Sequence, residues 1–578
     1  MPLRERILLA TTAVVRLCAA AGTVQLAWTT DARVSEAGFN KTFGPDGPWQ
    51  AVAIFAGDFK KDFSGVAGVP VPMWPSGSST SEIPVVKGNY SAADSSAAVG
   101  TNTIRGDSDD WFSTPFLNSS SMGSEFFDTM ALPEKTDTTP RLNVNVSVIA
   151  SDEYLRTLPD GRQVNQSVGI LGLGPNSERG ESEASITRQD YPSILEQLKS
   201  DDEIGSASFG FHVGSAALDQ PGSLILGGYE KNRVIGQAGV FKLHSLPIIP
   251  LSDVALGVET GGSPFNSADP ISVYRGVPSA TTDVPDLARE FGAKEGSAMV
   301  IANPAVPYLY LPPGTCEETA KHLPVTLDES LGVYLWNTSD PQFERIVTSP
   351  AYLAFIFSDQ SATTITIKVP FALLNLTLTE PLADRPTPYF PCQSVDPGYG
   401  FWMLGRAFLQ AALMAVNFDS GLLFLAQAPG PGLEQSVIQE LPEGGEGLEG
   451  LAESKFAESW AATWTPLPGA EDDTRRKLSG GAIAGITVGA VAGVAVVAGV
   501  VFLLLRRRKA QGAKGQERPA SNQTSSEGGV AELKGTPVLE MGETDRRIAE
   551  MHSPVVVHEA PGRSEVAELP ASSPRADG

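Results

Sequence analysis

Three cysteines and five histidines in 578 residues leave no cluster at zinc-ligand spacing, which excludes a structural zinc domain. Basic residues are scarce too. Lys and Arg number 42 against 67 Asp and Glu, a net charge of -25. Binding phosphate requires a basic face, so nucleic acid is excluded as a partner. No Gly-rich loop runs into Lys-Ser/Thr, so there is no P-loop, and no cofactor is expected. What is present suits a large folded body: 42% hydrophobic residues with only 19% charged, in a chain too long for one small domain.

Two apolar segments point to a membrane. Residues 1–21 carry Arg4 and Arg6, a short uncharged stretch from Ile7 to Val15, and small residues around Ala19–Ala21. This is the pattern of a secretory signal peptide, with cleavage expected near Ala21. Residues 480–505 contain no charge. At about 1.5 Å per residue they span roughly 39 Å as a helix, enough to cross a bilayer with tilt. Arg506, Arg507, Arg508 and Lys509 follow at once, which places the 506–578 tail in the cytosol and the N-terminal part outside. The expected topology is single-pass type I, at the cell surface or in the secretory pathway. Gly481, Gly485, Gly489 and Gly493 recur every fourth residue, a stripe that lets two such helices approach as a homodimer. The plainer reading is that single spans are often rich in Gly and Ala.

The acidity belongs to the exported part, because the tail holds 11 acidic and 11 basic residues. An acid-adapted exterior and ordinary solubility both account for it. Asn40, Asn89, Asn118, Asn145, Asn165, Asn337 and Asn375 stand in N-x-Ser/Thr sequons and are glycan candidates. Asn522 lies in the tail, on the wrong side of the membrane. Cys18 leaves with the signal, so Cys316 and Cys392 remain as an even pair in an oxidising compartment, where a disulfide is the default.

Residues 22–428 read as one β-rich unit. Arg141–Val148 and Thr364–Val369 alternate polar and apolar, the period of half-buried strands. Tyr191–Leu198 and Glu317–His322 are short helix candidates. The many short strands between Gly, Pro, Asn and Ser predict an all-β architecture. Residues 429–479, rich in Gly, Pro and Glu, are expected to form a flexible acidic stalk, and the tail to be disordered.

Five segments, in order, resemble the pepsin-like aspartic proteases, particularly their membrane-anchored fungal branch: Gly169–Gly174, Gly222–Tyr229, Tyr308–Pro312 followed by Cys316, Tyr389–Cys392, and Met403–Gln410. The resemblance implies two β-rich lobes around a long cleft, and pairing of Cys316 with Cys392 inside the second lobe. It also implies one catalytic loop per lobe, Asp-Thr/Ser-Gly-Ser/Thr, crossed by an apolar-apolar-Gly segment. Ile170-Leu171-Gly172 and Met403-Leu404-Gly405 fill the crossing role. Gly suits it, because two backbones must approach where a side chain would clash.

That chemistry needs two carboxylates sharing one proton, one acting as base on a water and the other as acid on the substrate carbonyl. In the matching places this sequence has Pro75-Ser76-Gly77-Ser78 and Asn303-Pro304-Ala305-Val306. Pro75 has no polar side chain, and Asn303 cannot exchange a proton. Asp419-Ser420-Gly421 spells a similar tripeptide but reads as turn chemistry. Trp111, Phe126 and Phe127, where a flap would lie, read as packing residues. The expectation is a membrane-anchored, non-catalytic relative of these proteases whose cleft binds an extended peptide or protein, or serves a structural role. The alternatives are an active aspartic endopeptidase using other acids, with Asp58 and Asp62 nearest, and a surface receptor signalling through its tail.

Overall fold

The computed structural model describes residues 22–31, 34, 39–58, 68–85, 90–105, 116–135, 142–175, 192–243, 247–276, 296–358, 363–395, 401–432, 436–451 and 455–469. The expected signal peptide, the 480–505 span with its Gly stripe, and the tail lie outside them. Among the described residues, no helix is long and apolar enough to cross a membrane.

The described chain is mostly β. One eight-stranded sheet is drawn from the first half, between Val52 and Asn165 and including Gly169–Gly172. A second, of equal strand number, comes from the second half, between Ile248 and Leu404. A six-stranded antiparallel sheet joins both halves. It takes Val24–Gln25 from the start, Ser208–His212, Ser223–Leu226 and Ile235–Lys242 from the middle, and Ala412–Asn417 and Leu422–Gln427 from the end. The main buried apolar core runs from Val24 to Trp464, with two smaller clusters, one around Tyr229, Leu413 and Phe424 and one around Phe39 and Phe55.

The alternating segments behave as their period requires. In the strand Leu142–Thr157, Val144, Val146 and Val148 are buried while Asn143 and Asn145 face solvent. In Thr364–Pro370, Ile365, Ile367 and Val369 turn inward. The two short helices form two to three residues from their expected places, as Ile194–Ser200 and Thr315–Ala320. The first is fixed by a capping box, in which Ser193 and Glu196 satisfy each other's backbone N–H groups. Cys316, on the second helix, is bonded to Cys392 at the start of the strand Cys392–Ser394.

The stretch after 428 departs from the expected flexible stalk. Ile438–Glu440 adds an antiparallel strand to Gly228–Glu230, and Leu441 is buried behind it. Phe456, Trp460 and Trp464 are also buried, the two indoles stacked 5.2 Å apart. The Thr465 N–H donates to the Thr348 carbonyl. Gly and Glu content suggested a solvated linker, but a few spaced apolar anchors decide whether a segment packs. Phe456, Trp460 and Trp464 recur every fourth residue, the spacing of one helical face. The folded body therefore continues past 428 to at least 469.

Candidate functional site

The same crossing is built twice. In the first half, Val69–Ser76 runs parallel to Gly169–Gly172, which also pairs antiparallel with Ser81–Pro84. In the second, Ala298–Ala302 runs parallel to Phe401–Leu404, which pairs antiparallel with Leu309–Leu311. Each short strand is thus threaded between two strands that neighbour each other in the chain. The loop joining those two must pass over its end. A glycine stands at each passage. A Cβ on Gly172 would lie 2.8 Å from the Ser78 carbonyl oxygen, and one on Gly405 2.4 Å from that of Val306. Ser78 therefore corresponds to Val306, and counting back three residues makes Pro75 correspond to Asn303. On the ladder side the two differ by one place. Pro75 is still paired, opposite Leu171, whereas Asn303 has left the strand and donates its N–H to the Leu404 carbonyl. Leu173 donates to the Ser76 carbonyl, so the polar groups of Pro75 face the other way, beyond the last partner there, Met73 opposite Val52. A missing N–H costs no ladder bond at that point.

Both loops are closed on themselves. The Ser76 hydroxyl accepts the Ser78 N–H at 3.2 Å, and the Ser78 hydroxyl donates to the Thr80 carbonyl at 2.8 Å. Asn303 is fully buried, and its Oδ1 accepts the Ala305 N–H at 2.9 Å. Its Nδ2 points at Met403 Sδ, 3.9 Å away. Pro304, Ala305 and Val306 are buried with it. Two acids that the sequence reading did not single out stand nearby in the fold. Glu82 is buried and accepts the Ser151 hydroxyl. Asp46 is buried against Arg156, described next.

Each half sends an arginine into the other. Arg406, immediately after Gly405, lies with its guanidinium carbon 3.5 Å from the Trp74 ring centroid and 5.0 Å from that of Trp49. Its Nη1 donates to the carbonyls of Pro304 and Ala305, at 2.8 and 3.0 Å. In return, Arg156 sits 4.9 Å from the centroid of Tyr308. Asp46 ties this together. Its Oδ2 meets Arg156 Nη1 at 2.9 Å, its Oδ1 accepts the Trp49 indole N–H at 3.0 Å, and its carbonyl accepts the Tyr389 hydroxyl at 2.6 Å. Burial draws the Arg406 pKa down to about 10, with Asp46 opposing that shift. The guanidinium therefore stays charged at neutral pH. Burial likewise pushes the hydroxyls of Tyr308, Tyr310 and Tyr389 up, so all three stay neutral. A cavity of about 20 Å3 opens among Asp46, Trp74, Arg156, Ala305 and Arg406. The cluster can hold charge and orient dipoles. It offers no pair of carboxylates with which to share a proton.

Sequence gave only a weak signal for this cluster. Arg406 is a lone cation inside the apolar run Met403–Gln410, and nothing local marks Arg156 or Asp46. Among the other residues weighed, Asp58 is exposed and accepts the Ser96 hydroxyl, as a loop charge does. Asp419 caps the turn between Ala412–Asn417 and Leu422–Gln427, bonding Lys199 and the Ala207 N–H. Phe126 and Phe127 are buried, Phe126 stacked on Tyr90. Asp62 and Trp111 lie outside the described residues, as does Asn89. Asn40, Asn118, Asn145, Asn165 and Asn337 are exposed, whereas Asn375 is half-buried with its Oδ1 enclosed. Among the described residues, no group of three His, Cys, Asp or Glu could hold a metal ion.

No family model matches the chain, and no curated protein sequence matches it. Among solved structures, it is similar to an aspartic proteinase from Irpex lacteus, at 14% identity and a TM-score of 0.43, over 70% of this chain and 97% of that one.

Proposed function

We propose that this chain is a pepsin-like, membrane-anchored protein without peptidase activity, whose paired lobes serve as a binding or structural module outside the membrane. The observation that carries this reading is the state of the two crossing loops. Pro75 has nothing to ionise, and Asn303 is fully buried with its carboxamide engaged inside its own loop. A water activated between two carboxylates has no acid to activate it there. The twofold repeat of the crossing, with Gly172 and Gly405 at equivalent passages, supports the pepsin-like part of the reading. The partner class is an extended polypeptide held by strand-like hydrogen bonds rather than cleaved. The uncharged 480–505 segment and the basic residues after it support a type I anchor.

The test is incubation of the purified full chain with a denatured protein substrate from pH 3 to pH 7. No new fragments are expected. Cleavage that a transition-state inhibitor of aspartic peptidases blocks would overturn the reading and favour the active endopeptidase. Anchoring is tested separately in cells. A glycosidase should shift the mobility of the 22–479 part, and protease added outside sealed vesicles should spare the 506–578 tail.

A further inference from the structure

Arg406 is 2% exposed, and no carboxylate among the described residues pairs with it. Its Nη1 is satisfied by two carbonyls, but its Nε has no hydrogen-bond partner. Arg156 nearby is neutralised by Asp46. Among the described residues, two guanidiniums and one carboxylate leave the cluster with one uncompensated positive charge. Taking such a charge out of water is costly, and the faces of Trp74 and Trp49 offset only part of that cost. The Tyr310 hydroxyl, electrostatically coupled to both arginines, is a second buried group without a partner. The cavity lined by both arginines has a volume of about 20 Å3. That exceeds the roughly 10–15 Å3 needed by one water-sized occupant.

We infer that this cavity binds one small monovalent inorganic anion of chloride size, held by the guanidiniums of Arg406 and Arg156. The ion balances the charge of the cluster and helps to hold the Ala305 loop against Trp74. A large organic anion does not fit the volume. The inference does not depend on the absence of peptidase activity: a chain that cleaved protein and also bound the anion would keep this proposal and lose the previous one.

The experiment is thermal unfolding of the full chain in sodium chloride and in sodium gluconate at matched ionic strength. An ion bound only by the folded chain raises the Tm with the logarithm of its concentration above its Kd. The Tm is expected to climb with chloride and bromide and to stay level in gluconate. Arg406→Gln, which retains a donor and removes the charge, is expected to abolish the halide slope. Coincident curves in the two salts for the unsubstituted chain would overturn the proposal and leave water as the occupant. So would an unchanged slope in Arg406→Gln. Should that variant fail to fold, crystals of the unsubstituted chain soaked in bromide decide it. An anomalous peak beside Arg406 supports the site, and its absence refutes it.

Discussion

The guanidinium of Arg406 lies 3.5 Å from the ring centroid of Trp74, the residue before Pro75. One contact therefore joins the segment that crosses the second loop to the strand that feeds the first. Its bonds to Pro304 and Ala305 extend the link to the second loop itself. Lysine keeps the charge but loses the planar stack and the forked donors. Arg406→Lys is expected to destabilise the fold by about 2 kcal/mol, read as a lower urea midpoint with unchanged slope.

Asp46 and Arg156 form a buried pair that reaches across the halves through Tyr308 and Tyr389. Asp46→Asn leaves the Arg156 charge buried and unpaired, and a loss of about 3–5 kcal/mol is expected. Adding Arg156→Met should cost less than the sum of the two single changes, because the second removes the stranded charge. A double-mutant cycle by denaturant unfolding measures that coupling.

His212 makes the body acid-sensitive. It is wholly buried, with Nδ1 accepting from Arg233 and Nε2 donating to the Gln410 carbonyl. Burial, then the Arg233 charge, draws its pKa from 6.5 to about 3. Above about pH 6.5 the imidazole is neutral in both folded and unfolded chains, and the full contribution is present. Between pH 6.5 and about 3 the unfolded chain takes up a proton that the folded chain refuses. This one group therefore removes about 1.4 kcal/mol of stability per pH unit on acidification. His212→Gln, which can bond both partners, is expected to flatten that dependence in denaturant unfolding at pH 7, 5.5 and 4. The acidic surface charge suggested an acid-adapted exterior as one reading, and His212 acts in the opposite direction.

Gly405→Ala places a methyl 2.4 Å from the Val306 carbonyl oxygen, with the Tyr308 carbonyl at 2.7 Å. Backbone on both sides cannot yield as a side-chain tip would. A loss of about 3 kcal/mol is expected, measured as a lower Tm. Gly172→Ala should behave alike, since the Ser78 and Thr80 carbonyls lie at 2.8 Å there.

The Cys316–Cys392 bond closes a separation of 76 residues. In the chain-entropy picture this contributes about 4–5 kcal/mol, mainly by restricting the unfolded chain. Cys316→Ser with Cys392→Ser should lower the urea midpoint accordingly, and reduction of the unsubstituted chain should match it.

Much of this was legible one residue at a time. Alternation in Arg141–Val148 and Thr364–Val369 declared strands, because side chains on a pleated backbone must take opposite faces. Cys316 and Cys392, the two cysteines left once the expected signal segment is set aside, declared their bond. Pro75 and Asn303 declared that neither loop position carries an ionisable acid, which is a matter of residue identity alone. Tertiary structure decided the rest. It packed Phe456, Trp460 and Trp464 into the body where composition suggested a loose stalk, because burial depends on what lies opposite rather than on average content. It brought Asp46, Arg156 and Arg406 together from positions far apart in the chain. Their charges are ordinary in the sequence and become a cluster only because two folded halves exclude water between them.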